Sequence, residues 1–284
     1  MKKIDFIGFI EVRNANPNGD IDFDNQPRQD VDGYGYMTDV CIKRKIRDTI
    51  TLLNEGKSGY NIFVNRDGVA LETKAMTPVI NNGGFEHFKD MSPEEKHEFV
   101  KEEFMKQYYD VRAFGAVVPS YTKAHWQDAQ IQGPVQISFA ESLEPIQSEQ
   151  ITISRISIQT EKDLKEKNTE LGKKWIVPYA VYKFEGHISA NLAEQTGFTE
   201  EDKEALMEAI WRMYDYNHSA SKTGIDMLKL FVFEHDSKLG NCKFRKLDEA
   251  IIVEKTQNKL GREQYNIEID EEKVPENVKV KVYE

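Results

Sequence analysis

The sequence predicts an α+β fold, an antiparallel sheet with helices on one face. Its elements follow the strand, helix, strands, helix, strand order of a ferredoxin-like split βαβ domain. Two observations predict this. Alternating or continuous apolar runs recur along the chain, and between them lie two segments with helical spacing and clear N-terminal caps.

KIDFIGFIEVR (3–13) is the first strand, with Ile4, Phe6, Gly8, Ile10 and Val12 on one side and Ile7 and Phe9 on the other. Apolar residues on both faces predict a central strand. NANPNGDIDFDNQPRQD (14–30) follows, rich in Asp, Asn, Pro and Gly. Thr38 then caps a helix over 39–54, with Ile42, Ile46, Ile50 and Leu53 in its apolar stripe. GYNIFVNRDG (59–68) reads as a strand and turn, and Ser92, Pro93 and Glu95 form a capping box that opens a helix running to about Asp110. GPVQISFAES (133–142) and EQITISRISIQ (149–159) read as strands, the second with a phase slip that predicts a bulge near Arg155. TEKDLKEKNTELGKK (160–174) is too polar for the core and reads as a solvated loop or hairpin tip. WIVPYAVYKFEGHISAN (175–191) returns to strand, Thr199 caps a second long helix, GIDMLKLFVFEHD (224–236) is another strand, and IIVEKT, QYNIEI and VKVKVY close the chain.

Composition fits a globular chain: 39% of the 284 residues are hydrophobic and 31% charged. No apolar run is long enough to cross a bilayer, and Asp5 and Glu11 interrupt the first one, so neither a membrane span nor a signal peptide is expected. Two cysteines, Cys41 and Cys242, lie far apart without C-x-x-C companions, which suits a reducing cytoplasm and excludes a zinc ribbon. The net charge of -11 is unusual for a free nucleic-acid binder, but Lys43, Arg44, Lys45 and Arg47 concentrate positive charge on one helix. Lys43 and Arg47 share a flank of that helix, and loop aromatics such as Phe23, Tyr34, Tyr36, Phe85, Phe114, Trp126 and Trp175 could stack on bases.

Other constellations fall short. Asp20, Asp22 and Asp24 have the spacing of a calcium loop, but its required Gly and Glu are replaced by Asn25 and Val31, so the residues are read as turn formers. Ser219-x-x-Lys222 and Lys222-Thr-Gly share one lysine, unlike the penicillin-recognising hydrolases, where the two motifs lie on separate elements. The histidines form no zinc motif, and His235-Asp236 lacks a nucleophile. No metal, cofactor or catalytic residue is assigned, and an RNA endonuclease stands as the alternative class.

The blocks N-x-N-P-N-G-D (14–20), D-N-x-P-R-x-D (24–30), G-x-G-x-x-T-D-V-C-x-K-R-K-I-R (33–47), F-G-A-V (114–117), G-P-V-Q-I (133–137), S-R-I-S (154–157) and W-I-V-P-Y-A-V-Y (175–182) together resemble one family. It is the backbone protein of type I-C CRISPR Cascade, the Csd-two branch of the Cas-seven superfamily; Ile21 stands where that family would carry proline. The resemblance implies a modified RRM/ferredoxin-like palm over 1–284, an inserted helical fingers region over 66–132 and a protruding thumb hairpin over 156–178. It implies a non-catalytic cytoplasmic subunit, polymerising head to tail along a CRISPR RNA at about six nucleotides per copy. Its partners would be the crRNA, target DNA paired to it, further copies of itself, and the crRNA-processing, large and small Cascade subunits. RNA contacts would come from Asn16, Asn18, Arg28, Thr38, Lys43, Arg44, Lys45, Arg47, Phe114, Arg155, Lys173, Lys174 and Trp175, with Ile158 or Trp175 near a base displaced by the thumb. The phosphate contacts would position the strand, and base pairing would read sequence.

Overall fold

The computed structural model describes residues 1–81, 91–118, 129–155, 170–216 and 222–284. β1 (Ile4–Ala15) is the spine of the molecule: residues 4–10 are all buried, and β10 (Glu170–Ile188) and β11 (Ile225–His235) flank it on either side, both antiparallel. Among the described residues the main sheet has eight strands, with the path β14 (Val278–Tyr283), β11, β1, β10, β8 (Ala140–Pro145), β4 (Tyr34–Met37). β10 is long enough to serve three partners in turn: β9 (Glu149–Arg155), then β8, then β7 (Val135–Ile137).

The two faces of this sheet are covered differently. Phe6, Ile10 and Val12 meet Ile42, Ile46 and Ile50 of α1 (Asp39–Leu53) together with the apolar stripe of a later helix at Leu206 and Ile210. Ile7, Phe9, Phe231 and Phe233, on the opposite face, pack under Leu247 and Ile267. Leu247 belongs to a short helix over Phe244–Asp248, and Ile267 to the hairpin of β12 (Ile251–Gln257) and β13 (Glu263–Ile269). The C-terminal strands read from the sequence therefore cover the sheet face that an ordinary RNA-recognition motif would leave open for stacked bases.

Between α1 and β7 the chain builds a second core from Phe63, Met76, Val100, Phe104, Tyr108, Val111 and Ile131. Its helices are α2 (Leu71–Asn81), which the sequence reading missed, α3 (Pro93–Gln107) and α4 (Tyr109–Phe114). Ser92 forms the expected capping box, but the helix breaks at the extended residue Tyr108 instead of continuing to Asp110. The strand expected over 59–68 is not one. Phe63 and Val64 give their backbone N–H groups to the Asp110 carboxylate at 2.7 and 3.1 Å, so a side chain takes the place of a ladder partner.

The 190–196 stretch also departs from expectation: Ser189 caps a short helix, α5 (Ala190–Thr196), where the strand pattern had been carried to 191. α6 (Glu200–Trp211) follows with the predicted Thr199 cap. Arg112 ties the insertion to the start of α6, reaching Asp202 through Nε at 2.9 Å and Nη2 at 2.7 Å. Burial would raise the Asp202 carboxyl, but this bidentate pair outweighs it and holds the group below its usual range.

A second buried carboxylate pins three central strands together. Asp5 of β1 is fully buried and lies 2.6 Å from Nδ1 of His187 on β10, 2.8 Å from Nε2 of His235 on β11, and 2.9 Å from Nζ of Lys3. The N–H of Asn241 donates to Nδ1 of His235, so the Nε2–H of that ring is the one that donates to Asp5. Burial would raise the Asp5 carboxyl, yet the hydrogen bonds from His187, Lys3 and His235 prevail and pull it from 3.8 down to about 2. A carboxyl depressed by folding contributes stability above its unfolded value and loses it as pH falls through the folded one, here about 2 kcal/mol lost between about pH 4 and pH 2. Asp5→Asn is expected to lower stability at pH 7 by about 3 kcal/mol in urea unfolding. It should also flatten this acid limb, and a variant with the wild-type pH dependence would contradict the assignment.

Candidate nucleic-acid interface

At the end of β1 the chain turns through Asn16–Gly19, pairs β2 (Gly19–Asp20) with β3 (Gln26–Pro27), and places Asp24 and Asn25 at φ 50° and 59°. Asn and Asp tolerate that left-handed backbone, which explains the composition of the loop. Asp20 accepts from the Asp22 N–H and pairs with Arg28 at 2.9 Å, so the acidic spacing that mimicked a calcium loop builds a turn.

The turn is fastened from within. Asn16 is 3% exposed, and its amide donates to the Asn25 carbonyl at 2.7 Å. Asn18 Oδ1 accepts from the N–H and the hydroxyl of Thr38 at 3.0 and 3.2 Å, and Thr38 Oγ1 in turn accepts from Cys41 N–H as the α1 cap. Lys222 donates to the carbonyls of Asn16 and Pro17 at 2.6 and 2.7 Å. Asn16 thus fastens the turn internally through its amide, and Asn18 ties it to the α1 cap through its oxygen.

On α1 the basic cluster is ordered by acids. Lys43 pairs with Asp39 at 3.0 Å, Arg44 with Asp48 at 3.0 Å, and Arg47 with the buried Asp110 at 2.8 Å. Lys43 and Arg47 both stand over the Phe114 ring, at 5.7 and 5.2 Å from its centroid. The helix flank predicted from their four-residue spacing is therefore a cation–aromatic ledge. Lys45 is partly buried, and desolvation pulls its ammonium down. Behind the ledge, Gly115 starts a ribbon of β5 (Gly115–Val118) and β6 (Ala129–Gln132) at φ 79°. A Cβ on Gly115 or Gly133 would enter the other's backbone, so both positions require glycine.

The β9–β10 ribbon is the other part of the predicted interface. Its ladder runs from Glu149↔Ile176 to Arg155↔Glu170, so a strand forms where a polar loop had been expected over 170–174. Residues 156–169, which include Ile158, lie outside the described residues, as do Phe85 and Trp126. Along the ribbon Ile151 and Ile153 are 41% and 45% exposed, Lys173 is exposed, Lys174 is partly buried and engaged, and Trp175 has a buried Nε1–H without a partner. Gln26 donates to Ser148 at 3.2 Å, which links the opening turn to the foot of the ribbon.

The His235-Asp236 pairing considered from the sequence does not form: His235 pairs with Asp5. Asp30 accepts from the N–H groups of Asp32 and Tyr34 and so shapes a turn. Among the described residues no three His, Cys, Asp or Glu side chains converge as metal ligands. Sequence reasoning missed Asp110, the partner of Arg47, and Lys222, whose motif resemblance drew attention to the wrong chemistry.

Residues 2–272 match the family profile of CRISPR-associated protein Cas7. A curated relative, CRISPR-associated protein Cas7 of Haloferax volcanii, is 29% identical over 241 residues, covering 79% of this chain and 68% of its own. Among solved structures, a chain of a CRISPR RNA-guided surveillance complex, pre-nicking, aligns with a TM-score of 0.50 and 13% identity over 82% of this chain and 78% of its own, a likeness of fold.

The two arginines of α1 are expected to respond differently to truncation. Arg47→Ala strands a carboxylate that is 1% exposed, and urea unfolding should show a loss of about 3 kcal/mol. Arg44→Ala breaks a pair whose members are 34% and 35% exposed, and the loss should stay below about 1 kcal/mol. Equal losses would contradict the clamp role given to Arg47.

Proposed function

The chain belongs to the CRISPR-associated protein Cas7 family, and on that membership we propose that it is a crRNA-binding backbone subunit of a surveillance complex. Copies line up head to tail along the guide, each covering about six nucleotides, and present it for pairing with target DNA. The specific resemblance of the opening blocks supports assignment to type I-C Cascade, with its processing, large and small subunits as further partners in the cytoplasm. The strand path β11, β1, β10, β8, with α1 and α6 on one face, supports an RRM-like palm. The second core supports a fingers insertion over 66–132, and the β9–β10 ribbon supports a thumb whose foot begins at about residue 149, before the expected 156.

The observation that localises binding is the ledge of Lys43, Arg47 and Phe114 beside the fastened opening turn. Its chemistry suits a sugar–phosphate strand: cations for phosphates and a ring face for a sugar or base. Arg28, Thr38, Arg44 and Lys45, on the same helix and turn, would add to the contact, and Arg155, Lys173, Lys174 and Trp175 would meet the strand from the ribbon. Phosphate contacts of this kind position the guide without reading its sequence. The proposed role is non-catalytic: Asp20, Asp30 and Asp39 near the turn are engaged in turns and ion pairs, and His187 and His235 are paired with Asp5 at the far end of β1.

Native mass spectrometry on RNAs of increasing length tests this reading. One further subunit for about every six nucleotides, with the RNA intact, is expected. A fixed count of one would overturn coating, and shortened RNA would favour the endonuclease. Lys43→Ala should weaken binding equally for different sequences and reduce the slope of log affinity against log salt by about one. An unchanged slope would remove Lys43 from the contact.

A further inference from the structure

Lys222 is the partly buried cation whose partners least explain it. It reaches the opening turn from the start of β11, and its two described acceptors are the carbonyls of Asn16 and Pro17. Among the described residues no carboxylate forms an ion pair with Lys222 or with Lys45. The two ammonium groups nevertheless repel each other across the Cys41 thiol, and the Arg28 guanidinium lies within reach of the same thiol. Arg28 spends Nη1 on Asp20, and its Nε–H is buried without a partner. Asn16 leaves Oδ1 buried and unpaired beneath the same turn. Two partly buried lysines without a direct ion pair among the described residues, Lys45 drawn only at longer range toward Asp48, and an orphaned guanidinium N–H form an incomplete electrostatic site.

We propose that Lys222, together with Lys45 and the Arg28 guanidinium, seats one phosphodiester of the bound RNA strand against the Asn16–Gly19 turn. This deepens the proposed function and rests on it: it assigns a phosphate-binding role to a residue outside the basic helix. The phosphate supplies the direct negative partner that neither lysine has among the described residues.

The seat has a signature that ordinary lysine contacts do not share. Among the described residues, the groups around Lys222 are Lys45 and Cys41 of α1, Arg28 with Asp20 from the opening turn, and Tyr214, which follows α6 and faces Cys41. Burial raises both Cys41 and Tyr214, leaving them uncharged near neutrality. Burial, aided by repulsion from Lys45, pushes Lys222 down to about 8. A neutral amine still has two N–H groups for the Asn16 and Pro17 carbonyls, so a rise in pH removes the charge without releasing the turn. RNA affinity therefore falls between pH 7 and pH 9, where a solvated lysine would stay charged.

The test is binding of labelled oligoadenylate, whose bases do not ionise in this range, at fixed ionic strength from pH 7 to pH 9. The wild type is expected to weaken about tenfold, and Lys222→Arg, always charged, less than about twofold. Melting curves at both pH values check folding. If the arginine variant fails to fold, Lys45→Ala replaces it, and the midpoint of its pH profile should move above pH 8 because the repulsion is gone. Parallel profiles for wild type and variant would overturn the seat. Inorganic phosphate alone should leave the melting temperature unchanged, and a rise would assign the seat to free phosphate and overturn its assignment to a strand. No binding of oligoadenylate at pH 7 would instead overturn the proposed function itself.

Discussion

The Asp110 carboxylate, buried where the inserted core meets α1, sets the geometry on which the candidate interface depends. It takes two backbone N–H groups from the irregular 63–64 segment and the Arg47 guanidinium from α1. A carboxylate this enclosed is tolerable only when its lone pairs are filled, so each of the three elements is held by the needs of one group. Arg47 is thereby locked across the Phe114 ring, and Lys43, one helical turn earlier, lies over the same ring. The cations of α1 are consequently placed by a buried acid before any ligand arrives, which lowers the ordering cost of binding.

The same economy explains how a chain of net charge -11 can present a cationic edge. Acids on this protein are largely partners: Asp39, Asp48 and Asp110 align α1, Asp202 receives Arg112, and Asp5 collects two histidines and Lys3. Net charge governs long-range association, whereas contact depends on the few cations at the groove. In the proposed filament, affinity would come from repetition, so modest contacts per copy would suffice. With the other sheet face covered by Leu247 and Ile267, the proposed route for a strand lies along the α1 edge and the opening turn.

Much of the framework was legible because its signals are local. The alternating apolar run of β1, the Thr38 and Thr199 caps, and the Ser92 capping box each correspond to an element within a few residues of expectation. Misses occurred where distant groups decide. The 59–68 segment has strand-like residues, but Asp110 takes its N–H groups; β10 extends back through polar residues 170–174 because β9 pairs with them. At the interface the residue types were legible and their duties were not. Asn16 and Asn18 carry the chemistry of RNA contacts, and their hydrogen bonds to Asn25 and Thr38, which shape the turn, had no signal in the sequence. Lys222 could not be found from its neighbours in sequence, since its meaning arises from carbonyls more than two hundred residues away.

Photo-crosslinking of the assembled complex with thiouridine-substituted guide RNA, followed by mass spectrometry of the attached peptides, tests the central claim most directly. Attachments within residues 14–47, at Phe114 and at the foot of the β9–β10 ribbon are the expected result. Attachments concentrated on the β12–β13 hairpin or on the acidic start of α6 would contradict it and place the RNA on the opposite side of the sheet or off the palm altogether.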